Sequence, residues 1–238
     1  MAELPTLEAL DLHTFYGSSH ILHGINFAVR PGETVGLMGR NGMGKTTLIR
    51  TLVGHLRPRR GRVMVNGKDM TDAAPHLIAR QGIAYLPEGR GIFPNLSVRE
   101  NLVMAERPGL DGACAWTYQR VLATFPRLAE RLNHGGQQLS SGEQQMLTVG
   151  RALMTNPRLL ILDEATEGLA PLIAQEIWKI VREIRDGGMA TIIVDKNFAA
   201  VSSIASRNVI LVKGQIVLEG TREELRQHPD LLQRYLGI

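Results

Sequence analysis

The sequence predicts an α/β fold: a parallel sheet covered on both faces by helices, with a helical lobe inserted into it. Three observations carry the prediction. Apolar, β-leaning runs recur along the chain, and several are continuous and followed by helical patterns, as expected of strands buried on both faces. A glycine-rich stretch, Gly39 to Gly44, joins one such run to one such helical pattern. The stretch from about Glu88 to Thr155 lacks strand runs and is rich in helix formers.

Taken in order, the strand-like runs are 7–10, 25–29, 35–38, 63–65, 83–86, 159–162, 191–194, 209–212 and 216–218. The last two are joined by Lys213-Gly214-Gln215, which reads as a tight hairpin. Ser97-Val98-Arg99-Glu100 has capping-box spacing, so a helix is expected to start there. We expect a single domain over 1–238, with 1–86 and 156–238 as α/β core and 87–155 as the helical lobe. No internal repeat or low-complexity linker is visible.

The composition bounds the function. The chain has 238 residues, 44% hydrophobic and 21% charged, which suits a globular domain with a sizeable core. Its one cysteine, Cys114, allows no intramolecular disulfide, which suits a reducing compartment. Met1 to Pro5 has neither a basic nor an apolar leader pattern, and no apolar run approaches the ~20 residues of a membrane span, so neither a signal peptide nor a span is expected. The net charge of +4 is concentrated in Arg57-Pro58-Arg59-Arg60-Gly61-Arg62. That run fits a solvated turn or a binding patch.

Gly39-Arg40-Asn41-Gly42-Met43-Gly44-Lys45-Thr46 fits G-x-x-x-x-G-K-[ST], with an apolar run before it and a helical pattern from Thr46 onward. Such glycines let the backbone wrap a phosphate with its N–H groups, and the helix N-terminus adds a favourable dipole. Lys45 would neutralise the β- and γ-phosphates, the Thr46 hydroxyl would ligate Mg²⁺, and Thr47 completes the nucleotide-binding set. The bland alternative is a glycine-rich turn without a ligand. Downstream, Leu159-Leu160-Ile161-Leu162-Asp163-Glu164 reads as a buried strand ending in two acids. Asp163 can hold Mg²⁺, and Glu164 can polarise the attacking water. Two adjacent acids could also be a solvated strand end. Together these motifs specify a P-loop NTPase core.

Leu139-Ser140-Ser141-Gly142-Glu143-Gln144-Gln145 narrows the reading. It resembles the signature of ABC ATPases, and the likeness extends over essentially the whole chain. The resemblance implies an N-terminal antiparallel β portion beside the core and ATP as nucleotide. It places Ser140, Ser141, Gly142 and Glu143 against the γ-phosphate bound to the opposite subunit. Ser140 and Glu143 also have capping-box spacing, so a helix should start there. Tyr16 stands where the family stacks a ring on adenine, and 165–171 resembles the D-loop that crosses the dimer interface. The groove near 88–95 is where the family docks a coupling helix, with Arg90, Ile92 and Phe93 as plausible contacts or simply an exposed loop. Pro87-Glu88-Gly89-Arg90, Glu167-Gly168-Leu169-Ala170-Pro171 and Arg234-Tyr235-Leu236-Gly237 are similar to the F-type ATP-binding subunit of branched-chain amino acid importers, a group that also takes amides, urea and other organic acids. The implied partners are membrane-spanning permease subunits, a sister ATP-binding subunit or second copy, and indirectly a substrate-binding protein, with no nucleic acid. The implied location is peripheral, at the cytoplasmic face of the inner or plasma membrane.

Several positions depart from the family pattern. Ser141 replaces a signature glycine, and Ala165 and Ala170 replace the usual Pro and Asp. Glu88 stands at the Q-loop glutamine and keeps an oxygen for Mg²⁺. Lys196 stands at the switch histidine. It can donate to a γ-phosphate but has no acceptor. Glu164 and Lys196 are therefore the expected catalytic pair, in a slow or partner-dependent ATPase. Three other readings compete: a catalytically weak cassette, a soluble non-transport ATPase, and an exporter's ATPase half.

Overall fold

Consecutive residues of a strand point to opposite faces, and the computed structural model, which describes residues 4–237, uses both faces of its central strands. Leu159 and Ile161 enter one hydrophobic cluster, and Leu160 and Leu162 enter another on the far side. Ile192 and Ile193 divide in the same way. This double burial is why these segments read as unbroken apolar runs.

The strands are β1 (Leu7–Tyr16), β2 (Ser19–Val29), β3 (Thr34–Met38), β4 (Arg60–Val65), β5 (Lys68–Asp69), β6 (Ile83–Leu86), β7 (Leu159–Asp163), β8 (Ala190–Val194), β9 (Arg207–Val212) and β10 (Gln215–Gly220). They form two sheets. One has the order β10-β9-β3-β8-β7-β6, parallel except for the edge strand β10. The other, β2-β1-β4-β5, is antiparallel. The runs at 7–10, 25–29 and 63–65 thus belong to the antiparallel sheet and not to the parallel one. β1 and β2 also extend well beyond those runs. Register shifts around Asp11, which carries φ 48°, break the apolar alternation that would have marked their full length.

The helices are α1 (Lys45–Leu52), α2 (Pro75–Ala79), α3 (Val98–Val103), α4 (Tyr118–Thr124), α5 (Pro126–Ala129), α6 (Ser141–Leu153), α7 (Pro171–Asp186), α8 (Phe198–Ile204), α9 (Arg222–Arg226) and α10 (Pro229–Leu236). α1 starts at Lys45, one residue earlier than its pattern implied. Its Leu48, Ile49 and Leu52 pack between the two sheets. α3, α6 and α7 cover the opposite face through Leu102, Met146, Leu147, Ile177 and Ile184. Between β6 and β7 the regular elements are helices joined by loops, with a single bridge, Ser97 with Gly135. The predicted caps form: Ser97 and Glu100 make reciprocal bonds at the start of α3, as do Ser140 and Glu143 at the start of α6. No helix among the described residues is long and apolar enough to cross a membrane.

The β9–β10 turn holds two residues, Lys213 and Gly214, both with positive φ (46° and 73°), and Gln215 already belongs to β10. A Cβ built on Gly214 would lie 1.7 Å from the Ile21 carbonyl oxygen. Gly214→Ala is therefore expected to cost at least ~2 kcal/mol. In a chain of this size that is a fall of roughly 4–8 °C in the melting midpoint by circular dichroism.

Candidate functional site

The glycine-rich loop leaves β3 and ends in α1. Gly39, Gly42 and Gly44 all adopt positive φ, and a Cβ at Gly39 would meet the Leu211 carbonyl oxygen at 2.3 Å. The first N–H groups of α1 have no intrahelical acceptors, an arrangement that suits an anion such as phosphate. Lys45 is buried, and its Nζ donates to the carbonyls of Gly39 (2.8 Å) and Arg40 (3.2 Å), closing the loop on itself. Burial lowers the Lys45 pKa, and Lys196 adds to this; Glu164 and Asp163 oppose it. Met43 anchors the loop from outside, because its carbonyl accepts from Gly214 N–H.

β7 delivers the two acids to the same place. Asp163 is 1% exposed, and its Oδ2 accepts from the Tyr85 hydroxyl at 3.2 Å. Its Oδ1 is buried without a partner. Burial pushes the Asp163 pKa up. An orphaned anionic oxygen there fits a Mg²⁺ ion or its water ligand. Glu164 follows in a left-handed conformation, φ 52°, its N–H bonded to the Val194 carbonyl. Such a backbone costs about 1–2 kcal/mol, persists only where surroundings impose it, and here turns the side chain off the strand direction.

Lys45, Thr46, Thr47, Asn41, Gly42, Gly44, Glu88, Glu164 and Lys196 share one cleft of about 350 Å³, with Ile21 completing the wall. The Thr46 side chain is exposed toward it. Arg40, Gly39 and Asn41 border a smaller neighbouring groove with Lys196. Tyr16 is 43% exposed at the end of β1 and does not line the cleft. Nor do Ser140, Ser141, Gly142 and Glu143, although α6 starts as expected and Gly142 is buried against Ile173 of α7. One chain therefore assembles the loop and both acids but leaves the serine-rich helix start outside. Arg90 and Phe93 are exposed and Ile92 is half-buried. The loop bearing Phe93 is fixed by the buried Asn101, which bonds both the Phe93 N–H (2.9 Å) and the Phe93 carbonyl (3.0 Å).

The family described as ABC transporter matches residues 22–167 of this chain. The chain belongs to the ABC transporter family. This cassette is 39% identical to the high-affinity branched-chain amino acid transport ATP-binding protein BraG of Pseudomonas aeruginosa, over 94% of the chain and 96% of that protein. It is 33% identical to the lipopolysaccharide export system ATP-binding protein LptB of Acidithiobacillus ferridurans, over 100% and 98% respectively. Its fold superposes on a solved ATP-binding subunit of an ABC transporter with TM-score 0.80 and 29% identity, covering 95% of this chain and 94% of that one. The cassette is an ABC ATPase with the mixed sheets and P-loop core of that class.

Three features of the cassette's site were not singled out in the sequence. Tyr85 bonds Asp163 across 78 positions. Ile21 closes the cleft from the antiparallel sheet. Lys196 Nζ pairs with Glu164 Oε2 at 3.3 Å and, more closely, with Glu167. Burial, and then hydrogen bonding with Glu167, pushes the Glu164 pKa up to about 6, while Lys196 pulls it down. Glu164 should then titrate with a midpoint of about 6. Carboxyl ¹³C shifts of the nucleotide-free chain check this. Lys196→Ala should move the midpoint higher, because the cation that favours the charged form is gone.

Proposed function

We propose that this ABC ATPase powers an importer for branched-chain amino acids or related small amides and organic acids. One observation carries the mechanistic half of the reading: Lys45 and Glu164, with the buried Asp163 next to Glu164 in the chain, meet at one cleft that the signature residues of the same chain do not line. Two cassettes facing head to tail complete the site, with the phosphate tail on 39–46 of one and the Ser140–Glu143 helix start of the other. Tyr16 stacks on the adenine. Asp163 and Thr46, with Glu88, would hold Mg²⁺, which when bound supplies charge neutralisation at the β- and γ-phosphates. Glu164 takes up the proton of the attacking water in an in-line displacement, and Lys45 screens the developing charge. Hydrolysis follows closure, because a lone cassette presents half of the donors.

In this assignment 87–155 is a helical lobe that rocks against the core formed by 1–86 and 156–238. The cassette sits at the cytoplasmic face of the membrane under permease subunits, fed indirectly by a substrate-binding protein. The likeness to BraG, at higher identity than the likeness to LptB, supports an amino-acid cargo. The test is reconstitution in liposomes of the cassette with the permease proteins that co-purify from solubilised membranes. ATP-dependent uptake of labelled leucine or a small amide is the expected result. ATP-driven extraction of lipopolysaccharide would assign the chain to export instead. Co-purification without membrane proteins would remove it from transport.

A further inference from the structure

We propose that Glu167 is a positioning residue for hydrolysis: it shares the Lys196 ammonium with Glu164 and so keeps the lysine from closing on Glu164 alone. The inference rests on the assignment of Glu164 as the base. Lysine is a flexible point charge without an acceptor, unlike the histidine usual at this position. Facing a lone carboxylate it would settle on that group, and a carboxylate neutralised in this way is a poor proton acceptor.

The fold divides that pairing between two carboxylates. The Glu167 N–H bonds the Glu164 carbonyl at 3.1 Å, so the chain turns back and stacks one acid beside the other. The Thr166 hydroxyl donates to Asp195 Oδ2 at 2.6 Å, tying this turn to the loop that carries Lys196. Asp195 Oδ1 accepts from Asn197 N–H at 2.9 Å, which holds that loop in shape. With both loops fixed, Lys196 Nζ lies 3.3 Å from Glu164 Oε2 and closer still to Glu167 Oε1. Glu88, Glu164 and Glu167 each place an oxygen within 4.8 Å of the others. Lys45 is engaged by its own loop carbonyls, and Lys196 is the cation that Glu164 and Glu167 share. Glu167 lies in the segment that resembles the subunit-crossing D-loop, so a movement there would redistribute the ammonium directly.

The test uses the full chain with Mg²⁺-ATP, reading kcat and KM from phosphate release. Glu167 is largely exposed, so Glu167→Gln keeps the fold, which a melting curve verifies. We expect kcat to fall ~10-fold with KM within twofold, the size expected when one charged hydrogen bond is lost from the reacting state. Glu167→Asp should recover most of the rate. In a Lys196→His background, Glu167→Gln should change kcat less than twofold, because a rigid imidazole needs no carboxylate to hold it. An unchanged kcat in the wild-type background would overturn the proposal, as would an equal fall in the Lys196→His background, which would place the effect at the subunit contact. A chain whose turnover ignores Glu164→Gln would instead overturn the base assignment.

Discussion

Glu164→Gln should leave nucleotide affinity within a factor of about two and lower turnover by ~10²-fold or more, the low end of general-base contributions. The substitution keeps the shape of the side chain and removes its charge. The strained backbone at φ 52° is retained, so the amide projects into the same cleft. What disappears is the acceptor for the water proton. The groups that cradle phosphate, Lys45 and the N–H donors of 39–46, do not depend on Glu164 for their positions, because Lys45 is held by the Gly39 and Arg40 carbonyls. Binding and turnover therefore separate. Fluorescent-nucleotide titration reads the first and Mg²⁺-dependent phosphate release the second. Equal turnover in variant and wild type would remove Glu164 from the chemistry.

The reach of the sequence can be judged residue by residue. The phosphate loop was legible because its constraints are local: three glycines at fixed spacing satisfy three backbone conformations within six residues. β7 was legible because both of its faces are buried, which leaves an unbroken apolar run before Asp163. The outer face of the β1–β2 pair was not, because it carries Asp11, His13, His20 and His23, and polar residues on a solvated face hide a strand. The same face explains the arginine run. Arg60 pairs with Asp11 at 3.1 Å, and Arg59 lies over the Phe15 ring at 4.3 Å. Arg57 pairs with Asp72 at 2.6 Å, so the run is engaged by its own fold. The least legible feature was the grouping of Glu164, Glu167 and Lys196, since it depends on two loops 29 positions apart being tied by Thr166 and Asp195. Lys196 was visible as a departure from the family pattern, but nothing in the sequence showed that Glu167 would hold it.

Asp163→Asn should abolish hydrolysis to below about a hundredth of wild type while making the nucleotide-free chain more heat-stable. The two effects have one cause. Asp163 is almost wholly buried, one oxygen holds only the Tyr85 hydroxyl, and the other has no partner. Burial raises its pKa, so the folded state holds the proton more tightly than the unfolded chain does. The stability this contributes is full below the unfolded value of 3.8 and is lost as pH rises through the folded value. Once ionised, Asp163 costs the ligand-free protein an undercoordinated buried carboxylate, and asparagine of nearly the same shape removes that cost. In a chain of this size each 1 kcal/mol reads as roughly 2–4 °C in the melting midpoint. The advantage of the asparagine variant should grow as pH rises and shrink as pH falls and wild-type Asp163 takes up its proton. With a non-hydrolysable ATP analogue bound to both, added Mg²⁺ should raise the midpoint of wild type more than that of the variant, because the variant has lost one of the two carboxylates, Asp163 and Glu88, assigned to the ion. Chelating the ion should return wild type to its lower midpoint. A variant that melts below wild type at neutral pH would show that the buried oxygen is satisfied in some other way, and one that gains as much from Mg²⁺ as wild type does would show that the ion binds elsewhere.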